Sequence, residues 1–379
     1  MLLLAIYFAV GALAVACEGD AANQCESTKC ESVGDAQICT ECVADNVPIN
    51  GRCEAAAGAT GKCTNSGGAA ATKVCAKCAG KTFMYKGGCY ETTNAIGKTM
   101  CTEAADGKCT AAATGYFVPG DKVANTEQSV VSCGDAATGV TVAADSNNVY
   151  KGIANCEECT APDAAAGARA TDKFAKCTKC SAGKYLKDDG STTQCVATAN
   201  DCGDGYAAKQ DTDSGNQCVS CEDTTKGVTG CAKCTYDSAN ARIQCTKCTD
   251  KYLKTAADGT TTCVDQDKCV TDSFPVTNAQ TGNKCVSCGD ETGVTDASNK
   301  KWNGVANCAK CTQPSAAGTA KCTACASGFN LEGETCVSAS ANRSALSTGA
   351  IAGISVAAVV VVGGLVGFLC WWFVCRGKA

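Results

Sequence analysis

The chain has 379 residues, a net charge of −5, 36 cysteines and no histidine. The mildly acidic balance argues against a nucleic acid partner. The absence of histidine excludes Ser-His-Asp and Cys-His catalysis, and every zinc site that needs an imidazole. We therefore expect no enzyme and no catalytic residues.

Residues 1–16 have the pattern of a secretory signal peptide. A hydrophobic run begins at Leu2, and the small residues Ala14, Val15 and Ala16 form a cleavage site. We expect the exported chain to begin at Cys17. An uncleaved anchor is the alternative, because no basic residue precedes the run.

Cysteine is nearly one residue in ten, which is typical of a disulfide scaffold in an exported protein. Between Cys17 and Arg343, leucine occurs only at Leu186, Leu253 and Leu331, so disulfides must replace a large apolar core. Ten C-x-x-C pairs supply structural cysteines. These are Cys39, Cys42, Cys75, Cys78, Cys156, Cys159, Cys177, Cys180, Cys218, Cys221, Cys231, Cys234, Cys245, Cys248, Cys285, Cys288, Cys308, Cys311, Cys322 and Cys325.

Aligning the chain with itself reveals a repeat of eight cysteines. Two complete copies occupy residues 202–264 and 269–337. A third copy, 101–196, has Val130 where the others have a cysteine, and Cys101 upstream restores the number to eight. An orphan thiol is a liability in an exported protein, so we expect the disulfides to close within each repeat. An amino-terminal cysteine-rich region, 17–100, precedes the three repeats.

Each repeat ends in an aromatic residue and a leucine followed by a glycine turn, which predicts a short β-hairpin closed by a disulfide. The predicted turns are Asp189-Gly190, Asp258-Gly259 and Glu332-Gly333. Tyr185, Tyr252 and Phe329 should form small local cores with the three leucines.

The loops 134–155, 160–176 and 289–307 consist mainly of small and polar residues, so we expect them to be exposed. Helix is expected only at the two chain ends. The predicted fold class is therefore small disulfide-rich repeats with short β-hairpins and irregular loops. They form an extended ectodomain similar to furin-like and growth-factor-receptor cysteine-rich repeats, with one C-terminal transmembrane helix.

Two other interpretations of the C-x-x-C pairs remain open. A thioredoxin-like redox pair needs a helix start within a βαβ core, and no such pattern surrounds these pairs. Structural zinc is the more serious alternative, because two sets of four cysteines have spacing close to that of zinc ribbons. The sets are Cys231, Cys234, Cys245 and Cys248, and Cys308, Cys311, Cys322 and Cys325. In an oxidising compartment, disulfides would normally capture these thiols first, so we expect no cofactor.

The carboxyl-terminal part predicts a membrane anchor. A juxtamembrane linker, 338–348, leads into an apolar stretch, 349–374, that is long enough to cross a bilayer as a helix. Trp371 and Trp372 lie where an interfacial aromatic belt belongs, and basic residues follow in the tail, 375–379. We expect a single-pass type I protein of the plasma membrane, with the cysteine-rich part outside and a short cytoplasmic tail. Cys375 lies at the cytoplasmic interface, where S-palmitoylation is expected.

Taken together, these features resemble the variant-specific surface proteins of Giardia. The resemblance rests on the signal peptide, the C-x-x-C array, the G-G-C-Y motif at Gly87–Tyr90 and the ending Cys-Arg-Gly-Lys-Ala at 375–379. It implies a protease-resistant surface coat antigen that mediates antigenic variation and immune evasion. It also implies palmitoylation at Cys375, citrullination at Arg376, and host antibodies and neighbouring copies in the coat as partners. A cysteine-rich surface receptor for a ligand or a metal is the alternative.

Overall fold

A computed structural model describes residues 17–163 and 171–339. The predicted signal peptide, the membrane span, the tail with Cys375 and Arg376, and most of the linker lie outside the described residues. Within the two described ranges, no helix has both the length and the apolar character needed to cross a membrane.

The described chain consists almost entirely of short strands and turns, as the hairpin signals predict. The strands are β1 (Cys30–Val33), β2 (Ala36–Cys39), β3 (Asn46–Ile49), β4 (Arg52–Ala55), β5 (Cys63–Thr64), β6 (Lys77–Cys78), β7 (Thr82–Tyr85), β8 (Gly88–Glu91), β9 (Cys101–Ala105), β10 (Lys108–Ala112), β11 (Tyr116–Phe117), β12 (Val131–Ser132), β13 (Val140–Val142), β14 (Asn148–Lys151), β15 (Cys156–Thr160), β16 (Asp172–Phe174), β17 (Lys176–Cys180), β18 (Tyr185–Asp188), β19 (Thr193–Val196), β20 (Tyr206–Lys209), β21 (Asn216–Ser220), β22 (Cys231–Asp237), β23 (Arg242–Cys248), β24 (Tyr252–Thr255), β25 (Thr261–Val264), β26 (Ser273–Val276), β27 (Lys284–Ser287), β28 (Val294–Thr295), β29 (Lys301–Trp302), β30 (Cys308–Thr312), β31 (Lys321–Cys325), β32 (Phe329–Glu332) and β33 (Thr335–Ser338).

Two short α-helices correct the expectation that helix occurs only at the chain ends. They are α1 (Gly19–Ala22) and α2 (Ala95–Met100), and four 3-10 turns lie at Ala56–Gly58, Ala143–Asp145, Ala199–Cys202 and Gln266–Lys268. Asn94 is the N-cap of helix α2, and its side-chain oxygen accepts a hydrogen bond from the Ile96 N–H. Its last residue, Met100, is fully buried. A capping residue and one buried contact therefore stabilise a helix that is too short to show a periodic pattern in the sequence.

Three sheets of four strands recur along the chain, with the orders β4-β3-β8-β7, β19-β18-β21-β20 and β25-β24-β27-β26. Each joins two antiparallel hairpins through a central parallel pair, β3 with β8, β18 with β21, and β24 with β27. In β24 the Leu253 N–H donates to the Asn283 carbonyl at 2.9 Å. The sequence predicted the hairpins, but it did not predict that consecutive hairpins share a sheet.

The described chain forms two compact units, which divide between residues 223 and 244. The first contains residues up to Asp223 together with Cys234–Ile243. The second contains Thr224–Lys233 and the described residues from Gln244 onward. These units cut across the predicted repeat 202–264, so the domain limits drawn from the sequence stay predictions.

The G-G-C-Y motif contributes to two apolar clusters of the first unit, because Cys89 belongs to one and Tyr90 to the other. Lys86 and Gly87 both have positive φ angles, 46° and 76°, as a tight hairpin turn between β7 and β8 requires. Tyr90 is fully buried and contacts the rings of Phe83 and Tyr85. Burial raises the pKa of Tyr90 far above its usual value. Its hydroxyl has no hydrogen-bond partner among the described residues. The motif therefore serves a packing role here.

Two of the loops that were expected to be exposed are partly buried, which corrects that expectation. Loop 134–155 forms the β13–β14 hairpin, and its Val142 and Asn148 are buried. Loop 160–176 supplies β16, which pairs in parallel with β14 and places Lys173 in the interior. The alternating valines of β13 bury one face of this short strand despite the polar composition of the loop.

Asp145 holds this loop region together. Its carboxylate accepts hydrogen bonds from the Tyr150 hydroxyl at 2.7 Å, Asn148 Nδ2 at 2.9 Å, Lys173 Nζ at 3.0 Å and Lys122 Nζ at 3.1 Å. These donors hold the pKa of Asp145 well below its usual range. A charged centre with four donors thus adds to the apolar cluster that Val140, Val142 and Tyr150 form with residues outside the loop.

The aromatic residues predicted to form local cores are buried in two of the three repeats. Tyr185 and Leu186, however, belong to different clusters, because adjacent residues of a strand face opposite sides of the sheet. Tyr185 and Tyr252 are buried, and their hydroxyls bond Gln210 Nε2 and Thr277 Oγ1 respectively. In the last repeat, Phe329 is only half-buried and Leu331 is 43% exposed. The prediction is wrong there, because β32 and β33 form a sheet of two strands and no second hairpin joins it among the described residues.

Candidate functional site: the disulfide framework

The 34 cysteines of the described residues form 17 disulfides, in agreement with the predicted disulfide scaffold. The bonds of the amino-terminal region are Cys17–Cys30, Cys25–Cys39, Cys42–Cys53, Cys63–Cys75 and Cys78–Cys89. Those of repeat 101–196 are Cys101–Cys109, Cys133–Cys159, Cys156–Cys177 and Cys180–Cys195. Those of repeat 202–264 are Cys202–Cys218, Cys221–Cys234, Cys231–Cys245 and Cys248–Cys263. Those of repeat 269–337 are Cys269–Cys285, Cys288–Cys311, Cys308–Cys322 and Cys325–Cys336.

The three repeats share one connectivity. Counted along each repeat, the first cysteine bonds the second, the third bonds the fifth, the fourth bonds the sixth, and the seventh bonds the eighth. The two middle bonds therefore overlap in sequence, whereas the outer two each close a hairpin. Every bond joins cysteines of the same repeat, in agreement with the prediction. Eight cysteines allow 105 pairings, so the sequence could not give this one.

Repeat 101–196 keeps this connectivity although Val130 replaces its expected second cysteine. The Cys101–Cys109 bond closes the separate β9–β10 hairpin upstream. Val130 is fully buried in the same apolar cluster as Cys101 and Cys109. The Cys101–Cys109 disulfide thus lies in the same apolar cluster as Val130, which stands in the position of the missing cysteine.

No C-x-x-C pair closes on itself. In repeat 269–337, Cys308 lies opposite Cys325 and Cys311 opposite Cys322 in the β30–β31 ladder. The covalent bond, however, runs diagonally between Cys308 and Cys322. Each of the twenty predicted structural cysteines is bonded to a cysteine outside its own C-x-x-C pair. A redox pair of the thioredoxin kind bonds within the C-x-x-C, so this arrangement does not provide one.

The two four-cysteine sets considered for zinc are each divided among three disulfides. Cys231 bonds Cys245, while Cys234 and Cys248 bond Cys221 and Cys263. The second set, Cys308, Cys311, Cys322 and Cys325, follows the same pattern. A zinc site made of four cysteines requires thiolates, and a sulfur within a disulfide is not a thiolate. The described sulfurs therefore do not fit a structural zinc site in this oxidised form.

Neighbouring disulfides contact each other at the same place in each repeat. A sulfur of the fourth-to-sixth bond lies 3.5–3.7 Å from a sulfur of the seventh-to-eighth bond, in the pairs Cys177–Cys195, Cys245–Cys263 and Cys322–Cys336. Cys39 and Cys53 make the same contact at 3.5 Å in the amino-terminal region. These sulfur clusters are mostly buried and act as the small cores of the repeats.

Two equivalent glycines pack the long loops onto this framework. A Cβ atom at Gly152 would lie 2.3 Å from the Cys133 carbonyl oxygen, and one at Gly304 would lie 2.2 Å from that of Cys288. The N–H of the residue after each glycine donates to the same carbonyl at 2.7 Å. The loop therefore approaches the third cysteine too closely for any other residue.

The hairpin tips and several lysines between the cysteines are exposed. The hairpin tip Asp189–Ser191 is exposed, and its polar groups are largely satisfied within the turn, for example through Asp189. Lys310 and Lys321 flank the Cys308–Cys322 bond and are also exposed. Replacing such side chains disturbs little buried area, so the framework can keep its bonds while the surface varies.

Comparisons with known proteins agree with this framework. The family described as Giardia variant-specific surface protein matches residues 9–185 and 222–379. The chain is 42% identical over 334 residues to the major surface-labeled trophozoite antigen 417 of Giardia intestinalis, a match that covers 81% of this chain and 42% of that protein. It is 34% identical over 393 residues to the variant-specific surface protein VSP4A1 of the same organism, covering 91% of this chain and 53% of the relative.

A further relative is the surface antigen CRP170 of Giardia intestinalis, which is 29% identical over 267 residues. No solved structure matches the chain. The chain spans about half the length of the first two relatives. Because the family match extends over both the repeats and the carboxyl-terminal stretch, the chain belongs to the variant-specific surface protein family of Giardia.

Proposed function

We propose that the protein is a non-enzymatic surface coat antigen, held in the plasma membrane by residues 349–374 and exposing its cysteine-rich part to the exterior. The observation that carries this proposal is a difference between the disulfides, which stabilise the fold, and the exposed segments between them, which form its surface. The three repeats share one disulfide connectivity, whereas hairpin tips and lysines between the cysteines are polar and exposed. Such a surface can present different epitopes to host antibodies on one stable scaffold, which is what antigenic variation requires.

Resistance to proteases follows from the same framework. A protease cleaves a folded chain mainly where a segment opens locally. Most of the disulfides in the two complete repeats close loops of about 15 residues. Each one stabilises its segment by about 3 kcal/mol, because it reduces the conformational entropy of the unfolded chain. The exposed lysines therefore lie in segments that rarely open.

Two measurements on the full chain, produced in a secretory eukaryotic host, test the proposal. An epitope tag inserted after Cys17 should react with antibody on intact cells, whereas a tag placed at Ala379 should react only after permeabilisation. Trypsin should leave the unreduced cysteine-rich part intact at 37 °C and digest it rapidly after reduction by a dithiol. Reaction of both tags on intact cells, or rapid digestion of the unreduced chain, would contradict the proposal.

The two modifications of the tail are part of the proposal. An alkyne analogue of palmitate should label the full chain, and Cys375→Ser should abolish the label, whereas Cys370→Ser should retain it. Mass spectrometry of the C-terminal peptide should show citrulline at Arg376 when the chain is isolated from its own cells. A label that persists in Cys375→Ser would place the lipid elsewhere.

A further inference from the structure

The hairpin β32–β33 differs from the equivalent hairpins of the earlier repeats in what its outer edge contacts. Leu331 lies opposite the last cysteine of its repeat, Cys336, as Leu253 lies opposite Cys263. The two leucines therefore occupy equivalent positions. In the earlier repeat the N–H of Leu253 donates to Asn283 of the next hairpin, and Leu253 is only 8% exposed. Leu331 is 43% exposed, and its sheet has two strands.

The strand that covers this edge elsewhere always comes from further along the chain. Strand β21 begins at Asn216 after repeat 101–196 ends at Val196, and β27 begins at Lys284 after the next repeat ends at Val264. The same distance after Val337 falls inside the apolar stretch that begins at Gly349. Residues 340–348 contain no cysteine with which to close a further hairpin. The sequence after Val337 therefore differs from the sequences that supply the covering strand in the earlier repeats.

A second copy of this chain can supply it. The residues Phe329 and Leu331 alternate with Asn330 along β32, so both side chains lie on one face of the sheet. If two β32 strands meet antiparallel about a two-fold axis centred on Asn330, then Leu331 of each copy lies opposite Phe329 of the other. The pairing is self-complementary, forms two apolar cross-strand contacts and gives a continuous sheet of four strands. Four strands is also the size of the sheets in the earlier repeats.

We propose that the outer edge of β32, the side away from β33, is a dimer interface between neighbouring copies in the coat. The proposal rests on the proposed surface function, because anchoring by residues 349–374 places the last hairpin of every copy at the same height above the membrane. Two-dimensional confinement also raises the local concentration of the partner edge. Pairing through main-chain hydrogen bonds at a sheet edge is an established mode of protein association.

The test uses a pair of variants of the full chain. Leu331→Pro removes the N–H that points to the edge, while the bonds to β33 are made by the alternate residues and remain. Leu331→Val keeps both the N–H and the apolar side chain, and is the matched control. A photoreactive benzophenone amino acid at Asn330 should cross-link two differently tagged copies in the membranes of the expressing cells, and the same group at Ser191 should not. Leu331→Pro should lower the cross-linked fraction about tenfold, the effect of losing roughly two hydrogen bonds, and Leu331→Val should retain it.

The outcomes separate this inference from the proposed function. Supporting data are cross-linked peptides that join residues 328–333 of the two copies and disappear in Leu331→Pro. Overturning data are a chain without cross-links, a cross-link that Leu331→Pro leaves unchanged, or cross-links to lipid or to another protein. Protection from trypsin without reduction confirms that each variant is folded. A chain that is monomeric but displayed at the surface and resistant to trypsin refutes the interface and leaves the proposed function standing.

Discussion

The strongest mechanistic prediction concerns the diagonal disulfide Cys308–Cys322. Replacing both cysteines by alanine removes a bond between residues 14 apart in sequence without leaving a free thiol. For a loop of about 15 residues, the lost restriction of the unfolded chain amounts to about 3 kcal/mol. Local opening between β30 and β31 should then become more frequent by about two orders of magnitude.

The assay is limited digestion of the unreduced full chain with trypsin, followed by mass spectrometry. Lys310 and Lys321 are exposed and flank the deleted bond, so cleavage there reports opening of this segment. When opening and closing are fast relative to cleavage, the cleavage rate follows the open population, and it should rise about 100-fold. The matched control is the double alanine variant of Cys231 and Cys245, a bond of the same span in the preceding repeat. Cleavage at Lys310 that is no faster than in this control would refute the reasoning.

Three further predictions concern the packing around the framework, each measured by urea unfolding with the disulfides intact. Gly304→Ala should destabilise the chain by about 1–3 kcal/mol, because its Cβ would overlap the carbonyl oxygen of Cys288. The control Gly61→Ala, whose Cβ would meet nothing within 4 Å, should change stability by less than about 1 kcal/mol. Equal losses of stability in the two variants would contradict the close approach at Gly304. Tyr90→Phe should alter stability by less than about 1 kcal/mol, since the hydroxyl has no hydrogen-bond partner among the described residues. Tyr90→Ala should cost about 3–5 kcal/mol, because it removes a fully buried ring. A large loss of stability in Tyr90→Phe would show that the hydroxyl has a hydrogen-bond partner and would contradict the prediction. Asp145 has a lowered pKa in the folded chain, so its contribution to the free energy of unfolding is present above the usual Asp pKa and is lost as the pH falls below about 4. Asp145→Asn should therefore make stability less dependent on pH in the acid range. A stability-against-pH profile that Asp145→Asn leaves unchanged would argue against the hydrogen bonds assigned to Asp145.

Much of the framework could be predicted from the sequence, because cysteine spacing and turn residues act locally. The hairpins of β18–β19 and β24–β25 form around the predicted glycine turns, and the third turn lies one residue later, at Gly333-Glu334. The count of eight per repeat also held where Val130 replaces a cysteine, since Cys101 and Cys109 bond each other.

The connectivity and the shared sheets could not be predicted, because both depend on contacts between segments. The overlapping bonds require the diagonal approach of two strands, which spacing alone does not specify. The parallel pair of β24 and β27 depends on how one repeat packs on the next. Loop 134–155 was expected to be exposed and is partly buried, because Val140 and Val142 join an apolar cluster and Asp145 adds hydrogen bonds that composition does not reveal.

The central claim is that each repeat is closed by its own disulfides and that no C-x-x-C pair bonds internally. Its most direct test is disulfide mapping by mass spectrometry on the unreduced chain, after digestion with a protease that works at acidic pH, where exchange is slow. In repeat 202–264 the account predicts Cys202–Cys218, Cys221–Cys234, Cys231–Cys245 and Cys248–Cys263. Bonds within C-x-x-C pairs, bonds between repeats, or free thiols accompanied by stoichiometric zinc would contradict it.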